Sequence, residues 1–508
     1  MNESPLKILL LSAEVVPFAK TGGLADVAGA LPKALKELGH DIRVIMPHYG
    51  CIDREKFGLR DFLPNLPVPM NDQVETAPIL EGAIGKAVPV YFVHNPKYYD
   101  REGIYMYQDD AERFIFFCRA ALEMLKEIDW KPDILHCNDW HTAIIPNFLQ
   151  TIYRDDPFFQ QTSTVYTIHN LAYQGVFGKR VLEIAGITQR QFEAPHDIGA
   201  LALSENQVNM MGRGIYFADI VNTVSETYAR EILTPEYGEG FDWLLQKRRD
   251  RLYGILNGVD YEVNNPATDS HLFQNYDQYT IERKTVNKIG LQQEVHLAQE
   301  AHTPLIGIIS RLSDQKGFDL IGQVIEPLIA NLNFQLVLLG TGTEEYHRLF
   351  MGMREKYPAR VAAILTFNND LAQKIYAGSD LFLMPSRFEP CGLGQLLAMR
   401  YGSVPIVRET GGLKDTVTNY EPENQRGNGF SFGNYNSLAM YTAIVRAIET
   451  YHYKEQWLGL IRRGMSADYS WHNSALKYVE LYRRALAQRR EEPVPEEYRT
   501  PIPITPGS

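Results

Sequence analysis

The chain has 508 residues and a formal net charge of -12, with 45% hydrophobic and 22% charged residues. This length exceeds what one hydrophobic core supports, so it predicts two or three domains. Nucleic acids and anionic membranes both require a basic surface, so the acidic balance argues against either as a partner. No apolar run is long enough to cross a bilayer, and we therefore expect no membrane-spanning helix.

The four cysteines, Cys51, Cys118, Cys137 and Cys391, form no C-x-x-C pair. Four cysteines in so long a chain do not make a disulfide framework, so we expect reduced, mostly buried thiols and a cytoplasmic location. The first predicted strand begins at Leu6, which leaves no room for a targeting segment within this sequence. A plastid location after removal of a transit peptide stays open.

Strands and helices alternate through the first half of the chain. Residues 6–12 predict a buried parallel strand, and residues 24–38 predict the helix that follows it. Residues 47–87 are less regular. Further strands are predicted at residues 41–46, 88–93, 133–137, 164–168, 220–224 and 251–256. Alternation at this spacing is typical of a doubly wound α/β fold with a parallel sheet.

A glycine-rich turn, Lys20-Thr-Gly-Gly-Leu-Ala-Asp26, lies between the first strand and the first helix. Gly22 and Gly23 allow close approach of a ligand to the backbone, and their N–H groups add to the positive end of the helix. Phosphate is the natural ligand for such a turn. A tight turn without any ligand is the alternative.

Two polar clusters follow later strands of this half. His136-Cys-Asn-Asp-Trp-His141 contains metal-ligand residue types, but its histidines are not one helical turn apart, so we favour ligand recognition over metal binding. Helix capping by Asp139 is the alternative. His169 and Asn170 follow another strand directly and should lie over the same sheet edge as Gly22, unless His169 is only structural.

The pattern of strands and helices restarts at Pro304 and predicts a second doubly wound domain. We expect one domain over residues 1–257 and a second over residues 258–473. A last helix at about residues 474–490 is expected to join the first domain. The Pro- and Glu-rich tail, residues 491–508, is predicted to be disordered.

The stretch from Asp380 to Gln395 holds the residue of greatest interest, Glu389. It lies at a predicted strand-to-helix turn between Phe388 and Pro390, at the sheet edge where α/β folds bind ligands. There a carboxylate would accept hydrogen bonds from sugar hydroxyls or steer charge at a reacting carbon. The alternative is an acid that only complements a helix dipole.

Basic and glycine-rich turns follow other strands of the second half. Arg311 and Lys316 follow the first of these strands, where a basic pair suits a diphosphate. The run Thr410-Gly-Gly-Leu repeats the Gly-Gly-Leu motif of the first half. The segment Gly340-Thr-Gly-Thr-Glu-Glu345 lacks the third glycine of a dinucleotide fingerprint, so we expect no nicotinamide cofactor.

Together these pieces resemble the bacterial glycogen synthase and plant starch synthase family of retaining glucosyltransferases. The resemblance covers nearly all of the chain from Lys7 to about Arg484. The matching blocks are Lys20-Thr-Gly-Gly-Leu, Asn138-Asp-Trp-His, His169-Asn-Leu-Ala-Tyr-Gln-Gly, Leu256-Asn-Gly-Val-Asp260, Ser310-Arg311, Gln315-Lys-Gly, Pro385-Ser-Arg-Phe-Glu-Pro-Cys-Gly-Leu and Thr410-Gly-Gly-Leu.

The resemblance implies two facing Rossmann-like domains of the GT-B type, with a deep cleft and a final helix that crosses back to the first domain. It implies transfer of glucose from ADP-glucose to the non-reducing end of an α-1,4-glucan, such as glycogen, starch or a maltooligosaccharide, with retention at the anomeric carbon. The product and the oligomeric state stay open.

The resemblance also assigns roles to individual residues. The implied catalytic set is Glu389, His169, Lys316, Arg311 and Lys20. The implied donor contacts are Lys20, Gly22, Gly23, Asn170, Asn257, Arg311, Lys316, Glu389, Cys391, Gly392, Leu393, Thr410, Gly411 and Gly412. The implied acceptor or cleft residues are Asp26, Tyr105, Asp139 and Trp140.

Charge arithmetic favours a mechanism without a metal or other cofactor. Two helix N-termini supply about +1 in total, and Arg311 with Lys316 raise this to about +3. The departing diphosphate carries about -3, so fixed positive charge can stabilise it.

Three features depart from the family pattern: Asn264 stands where many members have Trp, Gly212-Arg213 has a small residue where Lys is more usual, and the region around Tyr105 is shorter than usual. We expect Asn264 to affect hinge packing and Arg213 to affect the cleft. Two alternatives remain. One is a related enzyme that uses UDP-glucose or a small acceptor, as in sucrose or trehalose-phosphate synthesis, and the other is a glucan-binding paralogue without catalysis.

Overall fold

The structure, a computed structural model, describes residues 4–71, 73–85, 87–187 and 207–489. The chain divides into two compact units. The first takes the described residues up to Gly258 together with a helix that begins at Trp471, and the second runs from Val259 to Ser470. The tail for which disorder is predicted, residues 491–508, lies outside the described residues.

The strands of the described chain fall into two main sheets and one small two-stranded sheet. They are β1 (Lys7–Leu11), β2 (Asp41–Pro47), β3 (Arg60–Met70), β4 (Gln73–Ile84), β5 (Val88–Val93), β6 (Ile134–Asn138), β7 (Ser163–Ile168), β8 (Val176–Gly178), β9 (Gln207–Asn209), β10 (Ile220–Thr223), β11 (Leu252–Gly254), β12 (Leu305–Ile309), β13 (Gln335–Leu339), β14 (Val361–Ile364), β15 (Leu381–Met384), β16 (Val404–Arg408) and β17 (Phe430–Phe432).

The helices of the described chain connect these strands. They are α1 (Gly23–Glu37), α2 (Pro96–Tyr99), α3 (Asp110–Glu127), α4 (Asp139–Thr142), α5 (Ile144–Gln150), α6 (Arg180–Ala185), α7 (Met210–Phe217), α8 (Glu226–Glu231), α9 (Asp242–Lys247), α10 (Lys284–Glu294), α11 (Phe318–Asn331), α12 (Glu344–Lys356), α13 (Asn369–Gly378), α14 (Gly394–Arg400), α15 (Gly411–Thr416), α16 (Ser437–Tyr451), α17 (Lys454–Ser466) and α18 (Trp471–Arg489).

The sheet of the first unit has the order β11-β10-β7-β6-β1-β2-β5-β4-β3 among the described strands. Strand β1 pairs in parallel with β2 on one side and with β6 on the other. The chain thus leaves β1 toward one side of the sheet and returns at β6 on the other side, so the topological switch point lies between β1 and β6. Ligands bind open α/β sheets at the carboxyl edge of such a point.

The sheet of the second unit has the order β14-β13-β12-β15-β16-β17, and all its described pairings are parallel. Its switch point lies between β12 and β15, whose pairing joins Ile306 to Leu381 and Gly307 to Phe382. Both units therefore have the doubly wound α/β architecture that the alternation predicts. The strands that meet at this second switch point are the two that precede Lys316 and Glu389.

The expectation of less regular chain between residues 47 and 87 holds for residues 48–59, which contain no strand or helix, but is wrong for residues 60–84. Strands β3 and β4 form a long antiparallel hairpin, and β4 pairs antiparallel with β5. Strand β3 contains three prolines, Pro64, Pro67 and Pro69, and because of them the sequence did not predict a strand here. They are tolerated because β3 lies at the edge of the sheet, where one side of the backbone needs no ladder partner.

The last helix, α18, packs on the sheet of the first unit. The Tyr482 hydroxyl contacts His136 Nδ1 at 2.9 Å, and the Ser163 hydroxyl donates to the Ala485 carbonyl at 3.2 Å. The helix begins at Trp471, three residues before the predicted start. The sequence analysis did not predict α16, α17 or β17, which complete the second unit.

No helix in the described part of the chain is long and apolar enough to cross a membrane. Of the four cysteines, Cys118, Cys137 and Cys391 are buried, whereas Cys51 is exposed. All four are free thiols. The prediction of reduced, mostly buried thiols therefore agrees with the structure, and the cytoplasmic location stays a prediction.

His136 is fully buried between β7 and α18, and its two ring nitrogens bond different partners. Nε2 lies 2.6 Å from Thr167 Oγ1, and this hydroxyl in turn donates to Asn222 Oδ1 at 2.6 Å. Nε2 is therefore the protonated nitrogen, and Nδ1 accepts from Tyr482. Burial lowers the pKa of His136 to about 3, with the neighbouring His169 as a smaller cause.

We expect this histidine to make unfolding pH-dependent. The unfolded chain takes up a proton on His136 near pH 6.5, whereas the folded protein does not do so until about pH 3. Its contribution to stability is therefore complete above pH 6.5 and falls by up to about 1.4 kcal/mol per pH unit as the pH drops below that value. Urea unfolding between pH 7.5 and 5 should thus be less steeply pH-dependent in His136→Gln. The exposed control His302→Gln should keep the wild-type slope, and equal slopes in all three proteins would contradict the assignment.

Candidate functional site

The carboxyl edge of the second sheet places Lys316 beside Glu389. Lys316 Nζ donates to Glu389 Oε2 at 2.6 Å, and the Ser386 hydroxyl donates to the same oxygen at 2.9 Å. Both partners of the ion pair are largely buried. Glu389 lies in the turn before α14 rather than in a helix, and the roles predicted for it stay predictions. The other carboxylate oxygen, Oε1, has no hydrogen bond among the described residues and can accept one from a ligand.

Two glycines allow the backbone segments around this pair to touch. Gly317, with φ of 79°, lies against the Pro385 carbonyl, and Gly411, with φ of 45°, lies against the Glu389 carbonyl. A Cβ atom at either position would overlap that carbonyl oxygen. The turns after β12, β15 and β16 are therefore locked together at the position of the ion pair.

The second Gly-Gly turn packs on the Glu389 loop. The Gly412 N–H donates to the Glu389 and Pro390 carbonyls, at 3.2 and 3.3 Å. This N–H group is thus already paired, and its predicted contact with a donor phosphate stays a prediction. Thr410, which precedes the short helix α15, is buried.

The segment that leads from Glu389 into α14 is also well ordered. Cys391 is buried, and its carbonyl accepts from the Gln395 side chain at 3.1 Å. Gly392 has a φ of 71°, and Leu393 is the residue that precedes α14. Their predicted contacts with the donor stay predictions, but all three residues lie in the loop that holds Glu389.

Two more side chains lie at the same edge of the second sheet. Arg311 is exposed in the turn after β12. Phe367 follows β14, and 81% of its surface is exposed, which is unusual for a phenylalanine. The edge therefore offers cations at its centre, beside the switch point, and an aromatic face on one flank.

In the first unit the predicted anion site holds one of the chain's own carboxylates. Glu14 Oε2 accepts hydrogen bonds from the backbone N–H groups of Thr21 and Gly22, the latter at 2.9 Å. Glu14 Oε1 accepts from the Tyr105 hydroxyl at 2.7 Å. The turn does bind an anion, as its glycines predict, but in this structure the anion is Glu14. The sequence analysis missed this residue.

Lys20 is paired as well. Its Nζ lies 2.7 Å from Asp26 Oδ1, in the first turn of α1. Burial raises the pKa of Asp26, while the charge of Lys20 opposes that change. The predicted contacts of Lys20, Gly22 and Gly23 with donor phosphates, and of Asp26 with the acceptor, stay predictions.

Asp139 and His169 are brought together from the ends of β6 and β7. Asp139 Oδ1 accepts the His169 N–H at 2.8 Å, and His169 Nε2 lies 2.9 Å from Asn138 Oδ1. Asp139 therefore binds a neighbouring strand end, and helix capping does not account for it. Its φ of 53° is uncommon for a non-glycine residue, and such strained residues concentrate at functional sites.

Burial sets the ionisation of this pair. It raises the pKa of Asp139 to about 7, and the hydrogen bond from the His169 backbone opposes the rise. It lowers the pKa of His169 to about 3, so His169 is a neutral imidazole at physiological pH. Asn170, the next residue, is half-buried and accepts the Ala172 N–H at 3.1 Å. A neutral ring and an acid that titrates near neutrality suit the recognition of an uncharged ligand.

Aromatic rings continue this site along α4. Tyr105 stacks on His141 with a centroid distance of 4.8 Å, and Trp140 packs on the other side at 4.1 Å from His141. Trp140 also lines an open cavity of about 500 Å³, together with Tyr173, Gln174 and Glu239. The sequence prediction of Trp140 as an acceptor-side residue thus coincides with a cavity of the first unit.

Asn257 lies near the end of the first unit and is buried. Its side-chain oxygen has no hydrogen-bond partner among the described residues. Buried polar atoms are almost always paired, so an orphaned oxygen indicates a position completed by a ligand or water. The donor contact that the resemblance implies for Asn257 stays a prediction.

The residues that depart from the family pattern are both accommodated. Arg213 is buried in α7. Asn264 donates to the Asp260 carbonyl at 3.1 Å and accepts from the Gln373 side chain at 3.4 Å. Within the described residues, no group of three or more His, Cys, Asp or Glu side chains is arranged to hold a metal ion.

Comparison with known proteins identifies both halves of the chain. Residues 7–247 match the starch synthase catalytic domain, and residues 293–457 match the glycosyl transferases group 1 domain.

Curated relatives match over almost the whole length. A glycogen synthase of Desulforudis audaxviator is 49% identical and covers 97% of this chain and 99% of its own length. A glycogen synthase of Thermotoga maritima is 47% identical over 95% of this chain and 99% of its own. The solved catalytic domain of starch synthase IV from Arabidopsis thaliana, bound to ADP and acarbose, superposes with a TM-score of 0.88 at 37% identity, covering 95% of this chain and all of that one. The chain therefore belongs to the glycogen synthase and starch synthase family of glycosyltransferases.

Proposed function

We propose that this protein transfers glucose from ADP-glucose to the non-reducing end of an α-1,4-glucan, with retention at the anomeric carbon. The observation that carries the proposal is the Lys316–Glu389 pair at the switch point of the second sheet. Support comes from the relatives, which are glycogen synthases, and from the related starch synthase that was solved with ADP and acarbose.

The second unit binds the donor in this proposal. Lys316 has three N–H groups and uses one on Glu389, so it can also bond a phosphate oxygen. Arg311 follows the same strand and adds a second cation for the diphosphate. Phe367 offers an exposed ring on which the adenine base stacks.

Glu389 binds the donor glucose beside the reacting carbon. Its Oε2 is held by Lys316 and Ser386, and its Oε1 accepts from a sugar hydroxyl. The carboxylate also stabilises positive charge that develops at the anomeric carbon in the transition state. Its position is fixed before the substrate binds, because the surrounding loops are locked together.

Retention follows from attack on the face that the leaving group occupies. The bond between the anomeric carbon and the ADP phosphate oxygen breaks, and a bond to the acceptor hydroxyl oxygen forms. The acceptor proton passes to the departing phosphate, so ADP leaves as the protonated product. Fixed cations stabilise the charge that builds up on the diphosphate.

The first unit binds the acceptor. Trp140 and Tyr173 provide ring faces at the mouth of the cavity of about 500 Å³, and the neutral imidazole of His169 provides a hydrogen-bonding group that carries no charge. Aromatic faces with a few convergent polar groups are suited to a neutral sugar chain. Lys20, Gly22 and Gly23 keep their predicted role as donor contacts from this unit.

There are two alternatives to the proposed function: an enzyme that uses UDP-glucose as its donor, and a paralogue that has lost catalytic activity. A UDP-glucose enzyme would turn over that donor faster than ADP-glucose. A non-catalytic glucan-binding paralogue would bind glycogen without transfer, although Lys316 and Glu389 are present and paired. Incubation with radiolabelled ADP-glucose or UDP-glucose and a maltooligosaccharide primer, followed by chain-length analysis, distinguishes these cases. We also propose that the protein acts in the cytoplasm.

Removing the charge of Glu389 should abolish most of the activity. In Glu389→Gln the amide oxygen still accepts from Ser386, but the negative charge beside the reacting carbon is lost. We expect kcat to fall at least about 100-fold, while KM for ADP-glucose changes by less than about threefold. Glu423→Gln, an exposed substitution in the same unit, is the control and should retain wild-type kcat. A near-wild-type kcat in Glu389→Gln would remove this residue from the catalytic set.

Catalysis should not require a metal ion, because Arg311 and Lys316 supply fixed positive charge at the edge of the second sheet. We expect enzyme dialysed against EDTA to keep its rate within about twofold, since fixed cations need no exchange with solvent. The measurement is initial ADP release before and after dialysis. Loss of turnover that added magnesium restores would show that the charge accounting is wrong.

Phe367 should contribute to donor affinity through its ring. Stacking of a base on an aromatic side chain contributes about 1–3 kcal/mol, so Phe367→Ala should raise KM for ADP-glucose about tenfold. Phe367→Tyr should retain the wild-type KM, because the ring face is kept. Tyr453→Ala, which removes another exposed ring of the same unit, is the matched control. If Phe367→Ala and Tyr453→Ala have the same KM, the base does not bind at Phe367.

A further inference from the structure

A second cavity, of about 300 Å³, lies in the second unit away from the Glu389 loop. Its wall includes Tyr261, Tyr279 and Arg400. Arg400 is the last residue of α14, whereas the Glu389 loop precedes the first residue of that helix. Seven residues of helix separate the two ends by about 10 Å, so the cavity is distinct from the candidate donor site.

The ring of Tyr261 is held rigidly in the cavity wall. Its hydroxyl accepts the Tyr469 N–H at 2.8 Å and donates to the Ala467 carbonyl at 3.2 Å. The Arg400 guanidinium lies over the ring, 4.2 Å from its centroid, and Arg400 Nε donates to the Asn264 carbonyl at 3.4 Å. This part of the cavity wall therefore has its shape before any ligand binds, and this lowers the entropic cost of binding.

Tyr279 presents the second ring at the rim of the cavity. Tyr279 is 83% exposed. Its backbone is fixed, because Asp277 Oδ1 accepts the N–H groups of Tyr279 and Thr280 at 2.9 and 3.0 Å. An ordered backbone that carries an uncovered ring is suited to stacking on a flat ligand surface.

The charges of the cavity wall decide which class of ligand fits. Arg400 contributes one positive charge, while Asp277 and Asp468 contribute two negative ones. The wall therefore does not attract phosphates or other polyanions. Carboxylate, amide and guanidinium groups beside the uncovered Tyr279 ring instead suit a neutral polyhydroxylated ligand, because the ring can cover the C–H face of a sugar while the polar groups bond its hydroxyls.

We propose that this cavity is an accessory glucan-binding site, in which Tyr261, Tyr279, Gln278 and Arg400 hold a stretch of an α-1,4-linked glucose chain outside the catalytic centre. The identity of the sugar chain rests on the proposed function; the neutral-sugar chemistry rests on the cavity alone. Because the site lies on the unit assigned to the donor, it holds a branched polymer to the enzyme at a second point. Two-point attachment raises the effective concentration of chain ends.

The test removes the exposed ring and compares glucans of different length. Tyr279→Ala and the control Tyr453→Ala, whose ring is 61% exposed elsewhere in the same unit, are run in native gels that contain glycogen. We expect Tyr279→Ala to need about five- to tenfold more glycogen for half-maximal retardation. A loss of this size is what the removal of one substantial contact causes. Tyr453→Ala should migrate as the wild type does.

Kinetics provide the second readout. With glycogen as acceptor, KM should rise in Tyr279→Ala by a similar factor, whereas kcat and KM for maltotriose should match the wild type because a short primer reaches only the catalytic acceptor site. Equal retardation and equal glycogen KM in the two variants would overturn the proposal. So would binding of inorganic phosphate that depends on Tyr279, because it would assign the cavity to anions.

The two hypotheses fail in different ways. The gel assay contains no donor, so it reports on the accessory site even if the enzyme does not use ADP-glucose. Absence of glucosyl transfer from ADP-glucose to maltotriose in the wild type would instead contradict the proposed function.

Discussion

The ion pair between Lys316 and Glu389 is the interaction on which the second unit's site depends. Its two residues are 73 apart in sequence, and it joins the turns after two strands that are neighbours in the sheet. Leaving one member of a largely buried pair without its partner strands an uncompensated charge, which is strongly destabilising. The glycines at 317 and 411 are needed for the same reason, because a side chain at either would push apart the loops that bring the two charges together. The same interactions thus stabilise these loops and position the reactive carboxylate.

The first unit uses a carboxylate in another way. The glycine-rich turn before α1 offers backbone N–H groups to an anion, and Glu14 accepts two of them while Tyr105 holds its other oxygen. An internal carboxylate keeps the turn ordered when no phosphate is present, and a phosphate that binds there must compete with it or bind beside it. A glycine-rich turn before a helix therefore predicts an anion-binding site, but it does not predict whether the anion is a bound ligand or a carboxylate of the same chain.

Much of the fold and part of the site could be predicted from the sequence. Buried apolar strands such as β1 and β12, each followed by an amphipathic helix, fix the doubly wound pattern, and the strand ends place Lys316, Glu389, Asp139 and His169 at sheet edges. The β3–β4 hairpin was missed because its prolines read as irregular chain, whereas an edge strand tolerates them. Glu14 was missed because its partner Tyr105 is 91 residues away, and Ser386 and Phe367 because their roles depend on side-chain direction and exposure.

The electrostatics of the two units match the two substrates that the proposed reaction needs. Around Glu389 the structure places cations, which suit a donor that carries a diphosphate. Around Asp139 burial keeps the His169 ring neutral at physiological pH and raises the pKa of the Asp139 carboxyl to about 7. A glucan chain is neutral and would gain nothing from a strong field, but it would lose affinity if binding required desolvation of a charged ring. Under the proposed function, the carboxyl edge of one sheet thus receives an anionic donor and that of the other a neutral chain, although both edges are built in the same way.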